Sequence, residues 1–212
     1  MPRKKRAFQP NHFYHCIMRG NNRHNVYPTD LDMLELTRSF ELAHERYPFQ
    51  IVAYCFMSNH YHILIREEHG NLSKIMALVN KRYSDHYRKR YDFIGRIYQQ
   101  RFWAFAVRTP RKVLETSAYI HRNPIQTQVP MVENLKDYPH SSFPHYVSSE
   151  KKPPTFLDLT YLPNLLYYPF EKTTTSYVVF VLHRSFFAIE NGVELEEYDS
   201  RQLLPFVSLE KK

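Results

Sequence analysis

Two histidines one residue apart, His60 and His62, stand in Tyr54-Cys-Phe-Met-Ser-Asn-His-Tyr-His-Ile-Leu-Ile-Arg66, a run of strand-formers. Side chains on a strand alternate between faces, so His60 and His62 project together while Tyr61 and Ile63 take the other side. Two imidazoles side by side on a rigid strand are half of a metal site. The spacing alone decides little, because twelve histidines in 212 residues produce a His-x-His roughly once by chance. Its plain alternative is two polar residues on a half-exposed strand. A second group comes from Tyr119 and Asn123, four apart and therefore on one face of any helix that carries them. A tyrosine hydroxyl is a poor nucleophile at neutral pH without help. A divalent cation held by His60, His62 and the Asn123 amide oxygen could polarise a phosphodiester and lower the cost of developing charge by several kcal/mol. Tyr119 could then attack phosphorus and conserve the cleaved bond as a phosphotyrosine. No ATP is needed, which suits a chain with four glycines and no Gly-rich phosphate loop. Among seventeen tyrosines, the plain alternative for Tyr119 is a residue packed on a sheet.

Charge points the same way. The chain carries 29 basic and 21 acidic side chains, a net of +8. Between Lys74 and Lys112 lie eleven Lys or Arg against Asp85 and Asp92, so that segment alone nets +9. A concentrated positive stretch interleaved with Tyr, Phe and Trp suits a polyanion with stackable bases; the alternative is a solvated basic helix. Two cysteines, Cys16 and Cys55, are too few for a disulfide framework and fit a reducing cytoplasm. No apolar run approaches a membrane span, and no signal-peptide core follows the basic N-terminus.

The elements that must position these residues can be read in order. Phe13 to Arg19 is a first strand closed by the turn Gly20-Asn21-Asn22-Arg23. Thr29-Asp30 caps a helix reaching about Arg46, with Leu36, Phe40 and Ala43 on its buried stripe. Phe49 to Phe56 and His60 to Arg66 form a hairpin through Met57-Ser-Asn59. Asn71 then caps a second helix with Leu72, Ile75, Met76, Val79 and Tyr83 at helical spacing and the basic excess on its other face. Arg101 to Arg108 is a fourth strand. Strand, helix, strand, strand, helix, strand is the order of an α+β, ferredoxin-like (split βαβ) antiparallel four-stranded sheet with both helices on one face. Its bare face is an expected platform for single-stranded nucleic acid. A third helix starts at Thr109-Pro110 and runs through Val113, Leu114, Ser117 and Ile120 until Pro124 stops it. Lys112, Glu115, Tyr119 and Asn123 fall on its opposite face. The expected division is a domain over 1–147, a linker over 148–154 of composition Ser148-Ser-Glu-Lys-Lys-Pro-Pro154, and a C-terminal extension over 155–212 that is acidic at Glu194-Leu-Glu-Glu197.

Five blocks occur together and in order: Phe13-Tyr-His-Cys-Ile-Met-Arg-Gly-Asn-Asn-Arg23, Met57-Ser-Asn-His-Tyr-His-Ile-Leu64, Tyr98-Gln-Gln-Arg-Phe102, Tyr119-Ile-His-Arg-Asn-Pro124 and Tyr138-Pro-His-Ser-Ser-Phe143. Over about residues 11 to 146 the chain resembles the REP-associated tyrosine transposases, a branch of the single-tyrosine HUH transposases. That resemblance implies a single-strand-specific DNA endonuclease and strand transferase cutting beside a hairpin-forming repeat. It makes Tyr119 the nucleophile that forms a 5′-phosphotyrosine, His60 and His62 the ligands of Mg²⁺ or Mn²⁺, and Asn123 a polar third ligand. The middle of the pair, Tyr61, is less apolar than is usual in the family. Candidate DNA contacts are Arg19, Asn21, Asn22 and Arg23 at the first turn, Lys81, Arg82 and Arg88 on the basic helix, and Arg101, Arg108, Arg111 and Lys112 around the fourth strand. The expected partner is single-stranded DNA with hairpin repeats, met in a bacterial cytoplasm by a monomer or homodimer. Two other classes compete: a non-catalytic single-strand-binding module, and a metal-dependent phosphodiesterase using water.

Overall fold

The computed structural model describes residues 6–183. Its strands are β1 (Phe13–Arg19), β2 (Gln50–Phe56), β3 (His60–Arg66) and β4 (Trp103–Val107). Its helices are α1 (Asp30–Arg46), α2 (Leu72–Tyr91), α3 (Pro110–Arg122), α4 (Phe143–Val147), α5 (Tyr161–Leu165) and α6 (Thr174–Leu182). The sheet is antiparallel throughout, in the order β2-β3-β1-β4. This is the expected split βαβ arrangement.

Local chemistry accounts for most boundaries. The Thr29 side chain accepts from the Asp32 amide while the Asp32 carboxylate reaches back to Thr29, a capping box that satisfies two orphan donors of α1. Thr109 caps α3 in the same way on the Lys112 amide, with Pro110 in the first turn. The cap expected of Asn71 is corrected, since its side chain makes no capping hydrogen bond to α2. That helix is held by its buried stripe, in which each of Leu72, Ile75, Met76 and Val79 contributes about 1.5–3 kcal/mol through burial. β4 is also shorter than expected. Its ends lack alternation, and Arg101 and Arg108 remain outside the ladder.

α1 and α2 cover one face of the sheet. Leu36, Phe40, Ile75, Met76 and Val79 pack there on Cys16, Met18, Tyr61, Ile63 and Ile65. The expectation of a bare opposite face is corrected. α3, α4 and α6 lie over its β2–β3 half, where Val52, Ala53, Cys55 and Leu64 are buried with Leu114, Ala118, Phe143 and Tyr177. The reason is that β2 is apolar on both faces, β3 adds Leu64 beside the histidines on this one, and α3 has an apolar stripe to hide. Among the described residues the β1–β4 half of that face stays open, with Phe105 at 55% exposure.

Two later segments of the chain, residues 140–142 and 156–158, fold back on β2. Its outer edge receives residues 140–142, through Phe56 N–H to the His140 carbonyl and Ser142 N–H to the Tyr54 carbonyl. It also receives residues 156–158, through Ile51 N–H to the Phe156 carbonyl and Asp158 N–H to the Ile51 carbonyl. The acidic stretch Glu194-Leu-Glu-Glu197 lies outside the described residues. Among those described, no helix is long and apolar enough to cross a membrane.

Candidate active site

His60 and His62 lie on the central strand β3 with ring centroids 5.0 Å apart and planes nearly perpendicular. Pairing sets His60 opposite Arg19, and His62 between Ile17 on β1 and Cys55 on β2. Burial pushes His60 down to about 4, and the nearby Arg19 guanidinium lowers it further. Burial holds His62 well below the ordinary imidazole value, helped by His15, His60 and Arg19. Both rings are therefore uncharged at neutral pH, the form in which imidazole donates a lone pair to a metal. On that donor chemistry the pair fits a divalent cation. Among the described residues no group of three or more His, Cys, Asp or Glu is placed to hold one.

α3 delivers Tyr119 to this pair. The tyrosine ring stands edge-on to His62 with centroids 5.6 Å apart, and 6.0 Å from His15. The helix is fixed from behind. His121 is fully buried, its Nε2 2.7 Å from Ser142 Oγ and its Nδ1 3.0 Å from the Tyr177 hydroxyl, which itself donates to Ser117 Oγ. Asn123 keeps right-handed helical angles (φ −46, ψ −43) although Pro124 follows, and a 3-10 turn carries the chain onward. Its Nδ2 donates to the Tyr119 carbonyl at 3.0 Å. That amide nitrogen is therefore engaged with its own helix, which leaves Oδ1 as the atom of Asn123 that could face a cation.

Two further residues touch the histidines. Asn59 Oδ1 lies 2.5 Å from His60 Nδ1, and His15 Nε2 lies 2.9 Å from His62 Nδ1. Neither was singled out by spacing. His15 is diagonal to His62 across the β1–β3 ladder, so only the register reveals it.

The candidate DNA contacts divide into groups. Arg19 shares the histidine face, and Asn21, Asn22 and Arg23 form an exposed turn beside it. That turn is tight: a Cβ on Gly20 would sit 2.3 Å from the His24 carbonyl oxygen. Lys81, Arg82 and Arg88 are on α2, in the layer behind the sheet, where Lys81 pairs with Asp85 at 2.6 Å and Arg88 with Asp85 at 3.7 Å. Arg101 edges a cleft of about 380 Å³ between α2 and the start of β4. Arg108 is exposed just past β4. Arg111 and Lys112 flank the buried Glu115 at 3.0 and 3.7 Å in the first turns of α3.

The family model described as "Transposase IS200 like" matches residues 8–123, more than half of the chain. The chain belongs to that family. Members of this transposase family are enzymes acting on DNA. This IS200-like chain is also 28% identical, over 72% of its length and 92% of the relative's, to a Haemophilus influenzae protein named as a REP-associated tyrosine transposase. Among solved structures it resembles a REP-associated tyrosine transposase bound to a REP hairpin, with a TM-score of 0.57 and 21% identity. That likeness of fold covers 76% of this chain and 93% of the other.

Proposed function

We propose that this IS200-like protein cuts and rejoins single-stranded DNA beside a hairpin-forming repeat, with Tyr119 as the nucleophile. The observation that carries the reading is the approach of the Tyr119 ring to His62, 5.6 Å between centroids, from a helix clamped by its own buried network. The phenolic oxygen attacks phosphorus, its proton leaves to solvent, and the bond from phosphorus to the departing 3′-oxygen breaks. The products are a 5′-phosphotyrosine and a free 3′-hydroxyl, and attack by a 3′-hydroxyl on the phosphotyrosine reverses the step. His60 and His62, with Asn123 through Oδ1, would hold Mg²⁺ or Mn²⁺, which supplies Lewis-acid stabilisation of charge on the phosphoryl oxygens. Arg19, opposite His60, and Arg23, in the adjoining turn, would take flanking phosphates. Because Lys81, Arg82 and Arg88 occupy the opposite layer, a hairpin that touches them as well must pass round the sheet. The solved relative was captured on a REP hairpin, and the same kind of partner is proposed here.

A denaturing gel tests this directly. Wild-type protein with Mn²⁺ and a hairpin bearing a single-stranded flank should give a covalent protein–DNA adduct. Tyr119→Phe should give none, while Tyr83→Phe, Tyr87→Phe and Tyr91→Phe retain it. Cleavage without any adduct would instead favour hydrolysis by water, and binding without cleavage would favour a non-catalytic module.

A further inference from the structure

A neutral imidazole has one N–H and one lone pair, and the partner of one nitrogen decides the role of the other. Asn59 settles this for His60. Its Nδ2 donates to the Arg23 carbonyl at 3.4 Å, so its Oδ1 must be the atom facing His60 Nδ1 at 2.5 Å. An amide oxygen only accepts, so His60 Nδ1 carries the hydrogen and Nε2 keeps the lone pair. The Arg23 carbonyl reaches Asn59 because Asn22 and Arg23 take left-handed angles (φ 50 and 57) in the tight turn after Gly20. His62 is met on the same nitrogen by a ring nitrogen instead, His15 Nε2 at 2.9 Å from Nδ1, which accepts when His15 carries its hydrogen on Nδ1. The His15 ring is held in turn by its contacts with His62 at 5.1 Å, Tyr119 at 6.0 Å and Phe105 at 6.4 Å.

We infer that Asn59 and His15 are positioning residues that hold His60 and His62 in the Nδ1–H tautomer, so that both Nε2 lone pairs are presented to a divalent cation before it arrives. His62 Nδ1–H then donates to His15 Nε2, and His15 carries its own hydrogen on Nδ1. The opposite sense would put hydrogen on His62 Nε2 and close that nitrogen to a metal. This rests on the metal reading above, but concerns residues outside the ligand set. Hydrogen-bond partners of ligating histidines fix ring orientation and basicity, and their loss weakens metal binding 10–100-fold.

The test is long-range ¹⁵N NMR of histidine-labelled, metal-free protein, joined to titration with Mn²⁺ alone, read by the EPR signal of the free ion. Both rings should show the Nδ1–H pattern in the wild type. Asn59→Ala and His15→Leu should each move one ring toward the Nε2–H form and weaken Mn²⁺ binding about 10–100-fold, while His15→Gln, whose amide oxygen can accept the same proton, stays within about threefold of wild type. Hairpin affinity in EDTA should stay unchanged in all three. An Nε2–H pattern for His62 in the wild type, or unaltered Mn²⁺ affinity in His15→Leu, overturns the inference. So does a His15→Gln variant as weak as His15→Leu, which would make His15 a ligand. His60→Ala and His62→Ala separate the two levels. If neither weakens Mn²⁺ binding, the metal reading itself falls; if both do while Asn59→Ala and His15→Leu do not, only the inference falls.

Discussion

Burial does two things to His62 at once. It makes a charged ring costly, and it surrounds the ring with His15, His60 and Tyr119, which fix its orientation. Replacing it with alanine therefore removes a donor without removing any of the basic side chains. His60→Ala and His62→Ala should abolish metal-dependent cleavage, and EDTA should mimic them. Hairpin affinity by gel shift should change less than about threefold, because phosphate contacts set most of it. A variant that still cuts at the wild-type rate would reduce the pair to polar residues on a strand. Tyr119→Phe removes only a hydroxyl, so its thermal unfolding should report a loss of no more than about 1 kcal/mol. The histidine pair was legible in the sequence because alternation along a strand is local. His15 and Asn59 were not, because one depends on cross-strand register and the other on the shape of a turn thirty-six residues earlier in the chain.

Helix α3 shows where periodicity stops being informative. Spacing put Lys112, Glu115, Tyr119 and Asn123 on the face opposite the apolar stripe but did not show that Glu115 is only 3% exposed or that His121, outside both sets, is fully buried. Glu115 pairs within the helix with Arg111 and Lys112, but Ser142 and Tyr177, the partners of His121, come from segments with no sequence pattern linking them to the helix. Tyr177→Phe leaves Ser117 and His121 short of a buried partner and should cost about 1–3 kcal/mol, read as a lower Tm. The α1–α2 pair carries a second buried polar link. Asp32 sits under α2 and accepts from the Tyr91 hydroxyl at 2.6 Å, with His86 Nε2 3.1 Å away. Burial alone would raise its carboxyl, but hydrogen bonds from Thr29, Tyr91 and His86 outweigh that and hold it below 3.8. A carboxylate lowered by folding stabilises fully above its unfolded value and loses that contribution as pH falls toward the folded one. The stability gap between wild type and Asp32→Asn, measured by urea unfolding, should thus be largest near neutrality and shrink from about pH 5 to about pH 3. A gap that widens in acid would contradict the link. β1, β3 and α1, by contrast, follow from alternation and a cap that lie within each segment, and α2 from its own apolar stripe.

At the scale of the molecule the +8 charge is a statement about partners. Hairpin affinity should fall steeply with salt, log K declining linearly with log salt, and a hairpin with a single-stranded flank should bind better than blunt duplex of the same sequence. Equal affinity for the duplex at moderate salt would remove single-strand preference from the account. The layers were only half legible, because α3 and the segments after it cover a face that the order of the first six elements leaves bare. The return of the chain onto β2 has a consequence for any shortened form. The strand Gln50-Ile-Val-Ala-Tyr-Cys-Phe56 is apolar on both faces, and residues 156–158 occupy part of its outer hydrogen-bonding row. A chain ending at residue 147 would leave the Ile51 N–H and carbonyl open to a neighbour's backbone. Unsealed apolar edges of this kind template stacking between copies. Light scattering should find such a chain self-associating where the full-length protein stays dispersed, with residues 156–158 acting as a selvedge on the sheet.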